Sequence, residues 1–229
     1  MHNSTIGNIF FDLDHTLWDF DRNSGLAFER VFKKHKIELP LTDFLKTYEP
    51  INFEYWKKYR EERVTKEQLR RGRLTEAFAF FDITFPIDQI DAIAGCYIEE
   101  LPVNNHLFQG TVEILDYLSQ KYKLHIITNG FEEVQYLKLN NSGIKKYFAT
   151  ITTSEEVGMK KPHPSIFQMA LGKAGAMAQQ SVMIGDSFEA DILGAANAGM
   201  HTVFFNYRNE AVDHQGFTIG ELSEIKNLL

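Results

Sequence analysis

The sequence predicts an α/β fold, a parallel sheet with helices on both faces, interrupted by an inserted block of helices. Three observations carry that expectation. Short apolar runs without polar alternation recur at Ile9-Phe10-Phe11, Leu124-His125-Ile126-Ile127, Ser181-Val182-Met183-Ile184 and Thr202-Val203-Phe204-Phe205, the pattern of strands covered on both faces. Helically spaced segments separate the later runs, as right-handed strand-helix-strand crossovers require. Between Asp21 and Leu101 the spacing is helical and strand signals almost vanish. The whole reads as a Rossmann-like core, residues 1–18 and 103–229, carrying a helical insert, residues 19–102.

The first strand ends abruptly in Asp12-Leu13-Asp14-His15-Thr16. In open α/β sheets the carboxyl edge of the strands is where ligands bind, so Asp12 and Asp14 are expected in a crevice there. Two like charges two residues apart repel unless a cation or a proton intervenes. Hard carboxylate oxygens suit Mg²⁺, which takes one or two carboxylates and completes its shell with water and substrate phosphate. A solvated Asp-x-Asp turn is the simpler account, and the motif alone does not decide between them.

The insert follows. Leu26, Phe28, Val31 and Phe32; Phe44, Leu45 and Tyr48; Phe53, Tyr55, Trp56 and Tyr59; Leu69, Leu74, Phe78 and Phe81; and Ile87, Ile90, Ile93 and Ile98 fall at helical spacing, with Pro40, Pro50, Pro86 and Pro102 at the expected boundaries. Four or five helices result. Their aromatics are expected to pack the insert, and Arg60, Arg63, Arg70, Arg71 and Arg73 are expected on an exposed charged face.

The α/β rhythm resumes at Gly110. Thr111 to Tyr122 reads as a helix, and the strand Leu124–Ile127 ends in Thr128-Asn129-Gly130, a hydroxyl followed by permissive backbone. That arrangement suits a phosphate grip at Thr128 and Asn129, and equally a helix N-cap; the two roles can coexist. After a strand at Phe148 to Thr152, the segment Gly158-Met159-Lys160-Lys161-Pro162-His163-Pro164 fixes Lys161 at a turn ahead of the helix Ile166–Leu171, with His163 a loop residue. The strand Ser181–Ile184 ends in Gly185-Asp186-Ser187, with Asp191 five residues beyond Asp186. Asp186 could cap the helix Phe188–Ala198; a third acidic strand end favours shared metal binding. A strand at Thr202–Phe205, a short one near Phe217–Ile219 and a helix from Glu221 close the chain.

Composition narrows the function. Of 229 residues, 44% are hydrophobic, enough for a core, and 24 basic against 31 acidic side chains leave a net charge of −7, which speaks against binding a nucleic-acid polymer. A small anionic substrate stays open, because a metal and aimed cations invert the local field. The single cysteine, Cys96, cannot form an intrachain disulfide and reads as a core filler. Met1 to Thr5 lack a basic leader and no apolar run approaches membrane length, so cytoplasmic residence is expected. Oligomeric state leaves no mark.

Asp12-Leu13-Asp14-His15-Thr16, Thr128, Lys161-Pro162 and Gly185-Asp186 with Asp191, in this order on successive strand ends, resemble the four motifs of the haloacid dehalogenase superfamily. The insert resembles that superfamily's helical cap. Ile127-Thr128-Asn129-Gly130-Phe131, Ser154-Glu155-Glu156-Val157-Gly158 and the Lys161 turn resemble more narrowly a branch of 5'-nucleotidases acting on pyrimidine nucleoside monophosphates. The resemblance implies a phosphomonoester hydrolase in which Asp12 attacks phosphorus to give an aspartyl-phosphate and Asp14 is the acid and base. It implies Mg²⁺ held by Asp12, the backbone carbonyl of Asp14 and Asp186. Thr128 and Lys161 would cradle the phosphoryl group, and Asp191 would orient Lys161 or a metal-bound water. Lys161 fits the motif better than its neighbour Lys160. His15 stands where many relatives have a small residue, which leaves the entrance chemistry open.

Three alternatives compete. A true dehalogenase needs no acid at Asp14, because halide leaves without a proton. A phosphatase of phosphoglycolate or sugar phosphates would keep this core and differ in the cap. A non-catalytic module on this fold would have no use for an intact nucleophile, acid, lysine and metal carboxylate together.

Overall fold

The computed structural model describes residues 6–213 and 216–229; the Met1–Thr5 stretch read above for a leader lies outside them. The chain divides into two compact units, Met1–Phe20 with Asn105–Leu229, and Asp21–Asn104. No helix among the described residues is long and apolar enough to cross a membrane.

β1 (Asn8–Phe11) leads into four helices, α1 (Phe20–His35), α2 (Leu41–Arg60), α3 (Lys66–Ala79) and α4 (Ile87–Glu100). The chain then alternates: α5 (Thr111–Ser119), β2 (Lys123–Thr128), α6 (Glu132–Asn141), β3 (Phe148–Thr153), a single turn α7 (Ser154–Val157), α8 (Pro164–Ala174) and β4 (Ser181–Gly185). A π-helical segment Phe188–Leu193 runs into α9 (Gly194–Asn197), followed by β5 (His201–Phe205), β6 (Phe217–Ile219) and a 3₁₀ turn Leu222–Asn227.

The strands form one sheet in the order β3-β2-β1-β4-β5-β6, every neighbour parallel. Parallel strands cannot close by hairpins, so helices cross over both faces, and the strand interiors are dry: Ile9, Phe10, Phe11, Ile126, Ile127, Met183 and Ile184 are fully buried. On one face Phe10, Ile127 and Met183 pack with Ile166, Phe167 and Ala170 of α8. β1 lies between β2 and β4, in register Phe11 with Ile126 and with Ile184. The residues just past these three ends therefore emerge side by side on one edge.

One sheet residue is polar and titratable. His125 in β2 stacks on Phe10 at 4.6 Å between ring centres. Its Nδ1 lies 2.8 Å from the Thr150 hydroxyl and its Nε2 lies 3.2 Å from Asn8 Oδ1. A neutral imidazole, donating to Asn8 and accepting from Thr150, satisfies both contacts. Burial, with a smaller push from Lys123, lowers its pKa from 6.5 to about 4. The folded state thus resists the proton that the unfolded chain accepts, and the stability His125 contributes is complete above pH 6.5 and lost as pH falls towards 4. The expected result is that the difference in urea midpoint between the wild type and His125→Gln narrows over that interval; a constant difference would contradict it.

The helical unit is held by stacked and edge-on rings, as its aromatic content predicts. Phe28 stacks on Tyr97 at 4.3 Å and meets Phe44 edge-on at 5.0 Å, and Phe44 stacks on Phe78 at 5.0 Å. Two expectations fail here. Pro50 lies inside α2 and ends nothing, because Phe44 and Tyr48 before it and Asn52 and Tyr59 after it share the buried side and hold the helix together across the lost hydrogen bond. Arg73 is buried, not on a charged face: its Nη1 donates to Asn52 Oδ1 at 2.7 Å and its guanidinium lies over the rings of Tyr48 and Tyr97. Arg71 keeps the expected surface role, donating to Asp91 Oδ2 at 2.6 Å.

Candidate active site

Asp12 is the first residue past β1, its N–H donating to the Ile184 carbonyl of β4 at 2.9 Å. Its side chain meets Lys161, whose Nζ donates to Asp12 Oδ1 at 2.6 Å and to the Ile127 carbonyl at 2.8 Å. Lys161 is 2% exposed, so an ammonium there needs compensation. Burial pulls its pKa down, and the charges of Asp12 and Asp191 more than offset that, leaving it raised. The turn that delivers it is clamped by Asn129: Lys161 N–H donates to Asn129 Oδ1 at 2.8 Å, and Asn129 Nδ2 donates to the Lys161 carbonyl at 2.9 Å. The Lys161–Pro162 peptide is cis. The Asn129 amide, read from the sequence as a phosphate contact, is thus committed to the Lys161 backbone.

Asp14 is treated differently. Lys138 Nζ lies 2.5 Å from Asp14 Oδ1 and Gln135 Nε2 donates to Asp14 Oδ2 at 3.0 Å, both reaching from α6. The Thr128 hydroxyl, at the end of the neighbouring β2, accepts from Gly130 N–H at 3.1 Å and donates to Gln135 Oε1 at 3.2 Å. Gly130 makes room for that arrangement, since a Cβ there would stand 2.0 Å from Gln135 Nε2. The sequence offered Gly130 as backbone permissive for phosphate; its steric reason is Gln135.

The third carboxylate, Asp186, follows β4 and exchanges hydrogen bonds with Thr16, whose hydroxyl accepts from Asp186 N–H at 3.1 Å and donates to Asp186 Oδ1 at 3.3 Å. Asp191 sits in the π-helical segment, where the wider turn brings it inward to 1% exposure. Its Oδ2 accepts from Ser187 N–H at 3.0 Å and its Oδ1 lies 2.6 Å from Lys161 Nζ. A Cβ on Gly185 would stand 2.2 Å from Asp191 Oδ2, so this glycine too is demanded by a side chain. One oxygen from each of Asp12, Asp186 and Asp191 falls within 4.8 Å of the others.

Crowding two buried acids against one lysine, with the half-buried Asp186 beside them, has an electrostatic cost. Asp12 is raised from 3.8 to about 7, first by burial, against the pull of Lys161 and with a further push from Asp191 and Asp14. Asp186 is held well above the carboxylate range by burial and by the charges of Asp12 and Asp191, which the more distant Arg208 and Lys161 only partly offset.

Comparison with known proteins bears on this arrangement. The pattern of haloacid dehalogenase-like hydrolases matches residues 9–205. The chain belongs to the haloacid dehalogenase-like hydrolase family. Within it, this chain is 34% identical over 228 residues to pyrimidine 5'-nucleotidase YjjG of Escherichia coli, covering 96% of each chain. It is 31% identical to pyrimidine 5'-nucleotidase PynA of Streptococcus pneumoniae, covering 86% of this chain and 83% of that one. Among solved structures, the HAD-hydrolase YfnB of Bacillus subtilis, crystallised bound to magnesium, superposes with a TM-score of 0.90 at 26% identity over 99% of both chains.

A cation site in this haloacid dehalogenase-like hydrolase is supported by its own donors. Asp191 Oδ1 is buried without a directed hydrogen bond, held by the charge of Lys161, and beside it lie two acids that burial makes reluctant to ionise. An all-oxygen set of this kind fits a hard divalent ion. The three grouped carboxylates are those of Asp12, Asp186 and Asp191; the Asp14 carboxylate is outside the group and faces α6.

Other residues of this hydrolase find definite places. His15 takes a left-handed conformation at φ 63°, with Nδ1 3.1 Å from Tyr207 Oη and 3.0 Å from Arg208 Nη2, while Arg208 Nη1 lies 3.9 Å from Asp186 Oδ2. His163 caps α8, accepting from Ser165 N–H at 3.3 Å. Lys160 is half-buried. Sequence reasoning missed Gln135 and Lys138. The available signal was two polar residues one turn apart, beside the apolar Val134 and Leu139 on the buried side of α6.

Proposed function

We propose that this hydrolase is a Mg²⁺-dependent phosphatase of phosphomonoesters, with pyrimidine nucleoside 5'-monophosphates as its substrate class. The observation that carries the reading is the separation of two carboxylates of one strand end into two environments, Asp12 against Lys161 and the acidic group, Asp14 against Gln135 and Lys138. Such a split is what a nucleophile and an acid-base pair require. The narrower substrate class rests on likeness to YjjG and PynA.

In the proposed reaction an oxygen of Asp12 attacks phosphorus, the bond from phosphorus to the ester oxygen breaks, and Asp14 gives that oxygen its proton. The aspartyl-phosphate is then attacked by water, whose proton returns to Asp14; inorganic phosphate leaves and Asp12 is restored. Lys161 is proposed to turn its charge to the phosphoryl oxygens, the Thr128 hydroxyl, whose proton goes to Gln135, to stand beside them without donating, and Asn129 to serve by fixing the Lys161 turn. Held by Asp12, Asp186 and the Asp14 carbonyl, with Asp191 beside them, Mg²⁺ would supply positive charge against the oxygens of the transferring group. The helical unit is proposed as the counterpart of the family's cap.

The test is phosphate release with and without Mg²⁺ across UMP, dUMP, dTMP, phosphoglycolate and hexose phosphates, with p-nitrophenyl phosphate as the general probe. The expected result is Mg²⁺-dependent turnover, fastest on the pyrimidine nucleotides. Faster turnover of phosphoglycolate or a sugar phosphate would replace the nucleotidase reading and keep the phosphatase. No phosphate release from any of them would remove both.

A further inference from the structure

We propose that Gln135 and Lys138 are positioning residues that aim the Asp14 carboxyl at the leaving oxygen and keep it off the cation group. The inference rests on the acid-base role of Asp14 proposed above and adds what holds that residue in place.

Gln135 and Lys138 are three residues apart on α6 and so share a face. Each is 1% exposed, and each takes one oxygen of the same carboxylate. Neither is free to drift. Lys138 Nζ lies 4.1 Å from the centre of the Trp18 ring and 5.1 Å from that of Phe20, so aromatic faces stabilise the ammonium where water cannot. Gln135 is fixed by Thr128, which donates to its Oε1 and so turns its Nε2 towards Asp14. The missing Cβ of Gly130 leaves the space that the amide occupies.

A carboxylate offers about four acceptor directions. Two are taken by α6, which fixes the plane of the group and leaves one on each oxygen for the reacting proton. Without these contacts Asp14 would be a partly exposed acid beside three carboxylates able to hold a cation, and its charge would draw it towards any ion bound there. The network also joins the phosphate side to the acid: Thr128 touches Gln135, and Gln135 touches Asp14.

A buried ion pair with a merely structural role would affect all substrates alike. An acid's positioning device would not, because a good leaving group departs with little protonation and a poor one needs it. The experiment measures release of the phenol in a single turnover from p-nitrophenyl phosphate and p-methoxyphenyl phosphate. Lys138→Met and Gln135→Met are expected to lose at least ~10-fold with the methoxy ester and less than ~3-fold with the nitro ester, and Lys138→Arg to stay within ~3-fold on both. Gln135→Met changes no charge and carries the test should Lys138→Met fail to fold. Asp14→Asn is the reference. If it shows the selective loss while both methionine variants lose the two esters equally, or lose neither, the positioning role is overturned and the acid stands. If Asp14→Asn itself shows no selectivity, the acid reading falls and this inference with it.

Discussion

Asp12→Asn is expected to lower kcat by at least ~10⁴-fold while the chain stays folded. An amide has no anionic oxygen with which to attack phosphorus, and nothing else near Lys161 replaces it: Asp191 is tied to Ser187 N–H and Asp186 to Thr16. The same substitution makes a prediction about stability, with a definite sign. In the metal-free protein the folded pKa of Asp12 is raised from 3.8 to about 7, so the folded state binds its proton more tightly than the unfolded chain does. That contribution is complete below about pH 4 and lost as pH rises through 7. At pH 8 the ionised Asp12 therefore burdens the fold, and the asparagine variant, measured in EDTA, is expected to melt no lower than the wild type. Added Mg²⁺ should raise the melting temperature of the wild type more than that of the variant. Near-normal turnover, or an identical Mg²⁺ response, would refute the nucleophile and ligand assignment.

Lys161→Met is expected to cost ~3–5 kcal/mol of stability in the absence of metal, because it removes the compensating cation from buried acids. Lys161 is 2% exposed and within 2.6 Å of both Asp12 and Asp191, so no water can take its place at full strength. Its neighbour is a contrasting control. Lys160 is half-buried, and Lys160→Ala is expected within ~0.5 kcal/mol of the wild type, with little effect on turnover. Mg²⁺ should restore part of the loss in Lys161→Met by supplying positive charge to the same carboxylates. Urea unfolding with and without Mg²⁺ decides it, and equal costs at the two lysines would undo the choice of Lys161.

Much of the edge was legible because hydrophobic pattern and strand ends are local. Ile9–Phe11 and Ser181–Ile184 showed no alternation, and Asp12 and Asp186 followed at once. Proline proved less reliable. Pro40 and Pro86 stand at helix starts as expected, while Pro50 lies within α2, because packing of one helix side outweighed a local rule. The arginine-rich stretch was uniform by composition and divided in space: Arg71 pairs at the surface with Asp91, and Arg73 is sealed among Tyr48, Tyr97 and Asn52.

The chain's one-dimensional pattern determined that there are buried parallel strands, helices between them, a helical insert, and acids or hydroxyls where strands stop. These follow from the identity of neighbours a few positions apart, where burial periodicity and backbone preference act. Only the tertiary structure decided the strand order that sets β1 between β2 and β4, the turning of Asp14 towards Gln135 and Lys138, and the use of Asn129 to clamp Lys161. Those contacts join residues far apart in the chain, and their strength depends on distance and exclusion of water, quantities that exist only once the sheet has closed.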